Sequence, residues 1–495
     1  MFSLVKLYGE VDDSFCGYCK NNTAAKTTWY TSTGPLTVND YKILIDHGWR
    51  RCGTLVYKPV NKKTCCPAYT IRCDAEAFRV SKSQKKVLRV MAEFLNKGEV
   101  PNAVKKSNNA SYPTGCGGDK GDSAGDTSKH SEAVKPKASG DSEMATTARD
   151  PTTSSRSNSA RKKRWKALQD RMARRAEASG IPFEELMRDY LIRRQRRLDK
   201  NKPKELEHYL SLVQPKEKAK HFLDVRLCRS SPRSTEFDLT FEEEFRLYSD
   251  YQITIHHDDA TGIEHKGFIK FLVKSPLVSV HDSQAEAAGA PQFGSYHQQY
   301  WLDGKRLIAV GVVDLLPGCL SSVYLFYDPK FAFLHLGTYS ALREIALVRH
   351  FHRTYGPSVA SFADFTQYYM GFYIHSCVKM RYKALFSPSY LACPETYKWV
   401  PVEKCQRLLD QGKYARFAEL ADQQEEDPDS AVLLLPFSER LASMLPAKNF
   451  TIEGDVIITT VGIAASVIKK QALQVAREWV QLVGSTGTMR INYVN

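Results

Sequence analysis

Residues 101–160 contain no Leu, Ile, Phe or Trp and a single aromatic residue, Tyr112, while Ser, Thr, Gly, Asp and Lys dominate. A segment of that make-up cannot offset its ordering entropy by burying apolar surface. It reads as a disordered linker, so any core is built from the residues on either side of it. At about 100–200 residues per domain, a chain of 495 residues has room for two to four. The expected organisation is a Cys-rich N-terminal domain over 1–100, the linker over 101–160, basic helices over 161–204, a mixed α/β domain over 205–410 and a helical extension of unreadable role over 411–495.

Lys and Arg outnumber Asp and Glu 70 to 55, a formal charge of +15, which suggests a polyanionic partner. Residues 161–200 hold 14 Lys/Arg against six acids, a net +8 in 40 positions. Trp165, Leu168, Met172 and Ala176 recur at helical spacing, Ser179-Gly180-Ile181-Pro182 ends that helix, and a second starts at Phe183. The pair is a solvated hairpin, a nuclear-import signal at Arg161-Lys162-Lys163-Arg164, or a surface for phosphates, with Arg171, Arg174, Arg175, Arg193 and Arg194 as the contacts.

Beyond residue 220, Phe268–Val273, Leu307–Val313 and Ser322–Tyr327 read as strands and Thr338–Tyr355 as a helix, followed by a tyrosine-rich run over Thr366–Lys383. That order predicts helices packed on a mixed sheet. The longest apolar runs, Val432–Phe437 and Val456–Ile468, are far shorter than the ~20 residues of a membrane span. Met1–Asp13 has no apolar signal region, so a reducing compartment is expected, with most of the 12 cysteines as thiols.

Cys16-Gly17-Tyr18-Cys19 is followed, after 45 intervening residues, by Cys65-Cys66. A CxxC loop turns two sulfurs to one point, and a second pair completes four ligands for Zn²⁺ or an iron–sulfur cluster if the backbone turns at Pro67. A redox pair or inert thiols remain open, with Cys52 and Cys73 as spare ligands. GxxxxGK[ST], GxGxxG and HExxH are all absent, and the one GxSxG, Gly121–Gly125, lies in the linker without a strand and helix around it. An enzyme of this sequence therefore takes its activated group from something other than ATP, NAD or acetyl-CoA.

The runs Cys16–Cys19, His47-Gly48-Trp49-Arg50-Arg51, Tyr57-Lys58-Pro59, Thr64-Cys65-Cys66-Pro67 and Ser81–Lys86 resemble the N-terminal domain of eukaryotic arginyl-tRNA protein transferases. Tyr324–Pro329, Leu336–Ile345, Tyr368–His375 and Cys393–Tyr397 resemble the C-terminal domain of the same family. The resemblance covers about 1–100 and 205–405. It implies an aminoacyltransferase that joins arginine from Arg-tRNA(Arg) to proteins beginning with Asp, Glu or oxidised Cys, marking them for ubiquitin-dependent degradation in the N-degron pathway. It further implies an acetyltransferase-like (GNAT-like) catalytic domain, zinc or a [4Fe–4S] cluster on Cys16, Cys19, Cys65 and Cys66, and activity as a monomer in cytoplasm and nucleus, with no membrane partner.

An aminoacyl ester is already activated, so an attacking α-amino group needs positioning, oxyanion stabilisation and a modest base. Ser340 and Glu344, at i and i+4 of one helix, are candidates to take the proton, with Tyr339 or Tyr369 donating to the oxyanion. Asp314, Asp328 and Glu344 are candidates to hold the arginyl guanidinium. Arg343, His375, Lys379 and Arg381 are candidates for the acidic side chain, and Tyr368, Tyr369 and Tyr373 for stacking on the terminal adenine. Two rivals are a non-catalytic RNA-binding regulator and a metal-stabilised reader of acidic N-termini.

Overall fold

The structure is a computed structural model and describes residues 3, 5–13, 15–20, 26–100, 151–200, 204–419, 428–446, 449–454 and 456–483. The chain divides into two compact units, Met1–Pro113 with Glu205–Asn495, and Thr114–Lys204.

In the larger unit the N-terminal residues make strands β1 (Val5–Asp13), β2 (Lys26–Thr33), β3 (Leu36–Thr37), β4 (Arg50–Cys52), β5 (Leu55–Pro59) and β6 (Tyr69–Asp74), with helices α1 (Val38–Asp46) and α2 (Lys82–Lys97). Four of the strands form one sheet in the order β1-β2-β5-β4. Local chemistry sets α2. Ser81 and Gln84 form a reciprocal capping box, Val87, Leu88, Met91, Phe94 and Leu95 form its buried face, and Gly98 closes it at φ +75°.

The later residues supply β7 (Leu223–Ser231), β8 (Leu277–Val278), β9 (Gly294–Leu302), β10 (Arg306–Leu316), β11 (Cys319–Tyr327), β12 (Gln367–Tyr373), β13 (Ser389–Ala392) and β14 (Trp399–Pro401). The main sheet runs β14-β13-β6-β12-β11-β10-β9-β7. Strand β6, from before residue 100, is therefore flanked by β12 and β13, from after residue 360. This corrects the expected boundary: residues 1–100 are not a separate body, because β6 would leave the sheet with two unpaired edges if removed.

Strands β9 and β10 are buried on both faces, which is why neither shows clean apolar/polar alternation. The polar residues of β9 are satisfied internally. His297 Nδ1 lies 2.5 Å from Glu244 Oε2 and Gln299 Nε2 donates to Glu244 Oε1 at 2.8 Å, tying the sheet to a helix over Thr235–Tyr251. Leu307–Val313 and Ser322–Tyr327 lie in β10 and β11 as expected. Phe268–Val273 does not form a strand. It is helical, with Phe268 and Leu272 buried one turn apart in the cluster that holds Phe241 and Tyr248, an ambiguity that a short apolar run always carries.

The C-terminal stretch, expected to be helical, is mixed. It forms a small sheet of β15 (Val432–Pro436), β16 (Thr451–Glu453) and β17 (Val456–Thr460), together with a helix over Lys470–Val483. Trp479 of that helix packs on Trp49 with ring centroids 5.3 Å apart, so this end of the chain completes a core begun by Leu36, Val38, Leu44 and Val56.

The smaller unit contains α3 (Pro151–Ser179) and α4 (Phe183–Lys200). Residues 151–160, assigned from sequence to the linker, are helical backbone, while 101–150 lie outside the described residues. Leu168 and Met172 meet Met187 in a minimal core supported by Phe183 and Tyr190. The second helix begins at Phe183, as read from sequence.

Candidate active site

Strands β11 and β12 are parallel and pair only at Cys319↔Gln367, Leu320↔Tyr368 and Ser321↔Tyr369. Beyond that point they diverge, and the register of β12 against β6 breaks between Tyr369 and Phe372. Gly371 there has φ +66°, a backbone that favours glycine. The crossover between the two strands is helix α5 (Leu336–Tyr355). A cavity of about 1110 Å³ opens where the strands part, lined by Ser321, Ser322 and Tyr324 of β11, Tyr368, Met370 and Phe372 of β12 and the first turns of α5.

Its wall carries Lys26, Arg50, Arg51, Lys379 and Lys383, with His256 and His335, and among the described residues no Asp or Glu. Arg50 and Arg51 are 6% and 4% exposed. Arg51 is held by Asp314 through two hydrogen bonds of 2.7 Å, and Asp314 also accepts from Ser295 Oγ at 2.7 Å. Arg50 Nη1 donates to the carbonyls of Trp49 and Ile45 at 2.6 and 3.1 Å, and Nη2 to that of Gly371 at 3.2 Å. Lys383 Nζ donates to the Phe372 carbonyl at 2.8 Å. Burial, then the nearby Arg50 charge, lowers this amine to about 7.

Glu344 lies behind the wall. Tyr368 Oη donates to its Oε2 at 2.7 Å, and burial pushes its carboxyl up to about 7 against the hydrogen bonds from Tyr368 and Ser322. Both partners line the cavity, so the carboxyl reaches it through their hydroxyls. A Cβ at Gly311 would sit 3.0 Å from Glu344 Oε1, so a side chain there would have to push the carboxyl aside.

The sequence candidates divide accordingly. Ser340 and Glu344 share a buried helix face as expected, though Ser340 Oγ donates to the Gly337 carbonyl at 3.3 Å rather than to Glu344. Tyr339 is packed in the core against Tyr300, and Arg343 sits beside it, because i−1 and i+3 of Ser340 lie on a neighbouring helix face. Neither lines the cavity. Strand alternation sends Tyr368 towards the cavity and Tyr369 away from it, where Tyr369 Oη donates to Asp46 at 2.5 Å. Tyr373 bonds His375 Nδ1 at 2.7 Å, and His375 Nε2 lies 2.9 Å from Asp410. Arg381 is exposed, 3.8 Å from the same Asp410. Lys379 does line the cavity, from its exposed rim.

Two of the three acids proposed for the arginyl guanidinium are engaged by the chain's own cations, and the third, Glu344, by the Tyr368 hydroxyl. Asp314 belongs to Arg51. Asp328 caps the turn after β11, accepting from Lys330 N at 2.9 Å and pairing with Arg306 at 2.6 Å. Arg171, Arg174, Arg175, Arg193 and Arg194 stand exposed on the hairpin. Sequence reasoning missed Arg50, Arg51 and Lys383 as site residues. The first two stand in a run that carries the family resemblance and Lys383 ends the tyrosine-rich run, but nothing local distinguishes a buried cation from a solvated one.

The four cysteines converge. The Sγ atoms of Cys16, Cys19, Cys65 and Cys66 all lie within 4.8 Å of one another, with Cys19 and Cys65 at 3.8 Å. The short helical turn Asn61–Lys63 bends the chain before the second pair. Cys16 and Cys66 are buried and also line the cavity. The donor set fits a metal. Four soft thiols with no competing donor match Zn²⁺ or iron. Against the upward push of burial, hydrogen bonds from Cys19 and Tyr18 N–H lower Cys16 to about 7. Burial and the neighbouring sulfurs raise Cys65 to about 12 and Cys66 to about 11. A second thiolate is thus resisted unless a cation neutralises the set.

Residues 14–86 match the family described as arginine-tRNA-protein transferase, N terminus, and residues 243–393 match its C terminus. Arginyl-tRNA–protein transferase 1 of Drosophila melanogaster is 38% identical over 437 residues, covering 84% of this chain and 86% of the relative. Arginyl-tRNA–protein transferase 2 of Arabidopsis thaliana is 34% identical over 480 residues, covering 81% and 76%. An aspartate/glutamate leucyltransferase of Campylobacter jejuni is 31% identical over 101 residues, 20% of this chain and 36% of the relative. The first two similarities run through most of each protein, and the chain belongs to the arginyl-tRNA–protein transferase family.

Proposed function

We propose that this chain transfers arginine from Arg-tRNA to the α-amino group of proteins that begin with Asp, Glu or oxidised Cys, in the N-degron route to ubiquitin-dependent degradation, acting as a monomer in cytoplasm and nucleus. The observation that carries the reading is the cavity wall, which among the described residues has five basic side chains and no carboxylate. Such a wall suits an anionic peptide end and an RNA ester. The name of the Campylobacter relative, an aspartate/glutamate leucyltransferase, is in keeping with acidic acceptors.

The parallel β11–α5–β12 unit that splays at Ser321 and Tyr369 supports a GNAT-like catalytic domain. In such a wedge the acceptor amine meets the ester carbonyl. The amine lone pair forms the new C–N bond as the carbonyl electrons move to oxygen; the carbonyl then re-forms, the ester C–O bond breaks, and the leaving ribose oxygen takes the proton that the nitrogen sheds on becoming an amide. The first turn of α5, Leu336–Thr338, lines the cavity with the positive end of its dipole towards the oxyanion. A carboxyl near 7 is matched to accept one proton from the attacking ammonium, and Ser322 and Tyr368 connect Glu344 to the cavity. This replaces Tyr339 and Tyr369, which point elsewhere.

Cys16, Cys19, Cys65 and Cys66 would hold the metal. A tetrahedral ion with metal–sulfur bonds of about 2.3 Å has sulfur–sulfur edges of about 3.8 Å, which favours a single Zn²⁺ over a cluster. When bound, it supplies a fixed link between two loops of the wall. The exposed hairpin arginines are proposed to contact tRNA phosphates. Incubation with charged Arg-tRNA and a peptide beginning with Asp should add the mass of one arginyl residue. Equal transfer to an N-acetylated peptide, or to one beginning with Lys, would overturn the reading.

A further inference from the structure

Two basic side chains stand together on the cavity wall, with no acid lining it among the described residues. Arg50 is 6% exposed and three carbonyls fix its two terminal nitrogens, while its buried Nε–H has no partner among the described residues. Its guanidinium lies 5.1 Å from the centre of the Phe372 ring. The Lys383 amine is fixed by the Phe372 carbonyl. The carbonyls that receive Arg50 Nη2 and Lys383 Nζ thus belong to adjacent residues, Gly371 and Phe372, on the bulge of β12. Neither cation makes an ion pair among the described residues. Asp46, the acid whose charge reaches Arg50, is itself engaged by Lys42 Nζ and Tyr369 Oη, each at 2.5 Å. Buried charges are ordinarily paired; Lys383 can shed its proton but the Arg50 guanidinium cannot, and an anion from outside the chain would pair with Arg50 and keep Lys383 protonated.

We infer that Arg50 and Lys383 receive the carboxylate of the acceptor protein's acidic first side chain, an assignment that rests on the acid-selective function proposed for this cavity. The guanidinium is pinned in one place on the wall, and the Lys383 amine has further hydrogens beyond the one it gives to Phe372. A carboxylate, or the sulfinate or sulfonate of an oxidised Cys, is small enough to meet both and brings the missing charge. A phosphodiester sits between two riboses and is met by cations standing out along the backbone, whereas Arg50 exposes almost nothing. An amide in place of the carboxylate would leave both charges unneutralised.

The test compares two peptides that differ only in Asp or Asn at the first position, each supplied with Arg-tRNA and the full chain. Lys383→Met should lower kcat/KM for the Asp peptide by about 10- to 150-fold, the range for a hydrogen bond to a charged group, and the Asp/Asn ratio should fall by the same factor. Lys383→Arg should recover part of the ratio, and Arg50→Lys, which keeps the charge but loses the fixed fork, should lower it. Should Lys383→Met fail to fold in a thermal melt, Lys383→Gln, which still donates to the Phe372 carbonyl, carries the same comparison. An unchanged ratio in folded Lys383 and Arg50 variants overturns the assignment. So do equal losses on both peptides, which would place the pair on Arg-tRNA instead. An unsubstituted chain that serves both peptides equally overturns the acid-selective reading itself, and this assignment with it; a preference that survives both substitutions overturns only the choice of residues.

Discussion

The cavity wall and the α3–α4 hairpin are both basic, yet they use charge in opposite ways. On the hairpin the arginines are exposed, and Arg193 meets Asp189, one turn earlier, at 3.0 Å. Such charges are screened by salt and nearly interchangeable. On the wall, Arg50 is pinned by backbone carbonyls and Arg51 by Asp314, so each has one geometry. The difference teaches that a charge run announces a surface that meets any polyanion, whereas a reading site is built from a few cations whose solvation the fold has replaced.

The largest expected effect concerns the cysteine cluster, two of whose sulfurs belong to residues of that wall. Serine at Cys16, Cys19, Cys65 and Cys66 together should abolish bound metal by elemental analysis and lower the melting temperature, since metal affinity at such sites is folding free energy. Metal content and melting temperature both unchanged would mean that these thiols hold no metal.

Next comes the buried ion pair. Arg51→Met leaves Asp314 charged and unpaired in the interior and should cost about 3–5 kcal/mol in denaturant unfolding. Arg193→Ala on the hairpin should cost about 0–1 kcal/mol. Equal costs would erase the contrast between the two regions.

Glu344 tests the wall through pH. Its folded value is raised to about 7 from 4.5. At pH below 4.5 the group is protonated whether folded or not and imposes nothing. Between 4.5 and about 7 the unfolded chain gives up its proton first, so stability falls as pH rises, and above 7 the full penalty holds. Glu344→Gln should flatten this slope by a few kcal/mol in unfolding free energies compared at about pH 4 and pH 8. Parallel curves for the two proteins would mean the carboxyl is not desolvated.

The smallest effect is the hairpin's. Each phosphate contact adds about 0.7–0.9 to the slope of log K against log[salt]. Neutralising Arg171, Arg174, Arg175, Arg193 and Arg194 should flatten that slope for Arg-tRNA while leaving the Asp/Asn preference alone. An unchanged slope would return the hairpin to a solvated helical pair.

Much of the fold is legible in the sequence where the signal is local. The capped helix after Ser81, the break at Gly180, the helix start at Phe183 and the central strands at Leu307 and Ser322 follow from caps, turns and apolar runs that act over a few residues. The four cysteines are legible as two pairs. Phe268–Val273 is misread from sequence because six apolar-rich positions satisfy both periods, and only the neighbours Phe241 and Tyr248 decide between them. Tyr339, Arg343 and Tyr369 join the site in a sequence reading because nearness along the chain to Ser340 and Tyr368 is taken for nearness in space. One step along a helix or strand turns the side chain to a different face.

By itself the sequence determined the family, through long matching runs on both sides of a segment that cannot bury itself, and it determined the kinds of chemistry present, thiols for a metal and cations for an anion. Only the tertiary structure decided which cations matter. Arg50 and Lys383 are 333 positions apart and meet because β6 joins a sheet whose neighbouring strands come from the far end of the chain. Whether a charge is solvated, paired with Asp314 or left waiting on a cavity wall depends on what that assembly brings within a few ångströms, and electrostatic energies in a low-dielectric interior are set at just that range.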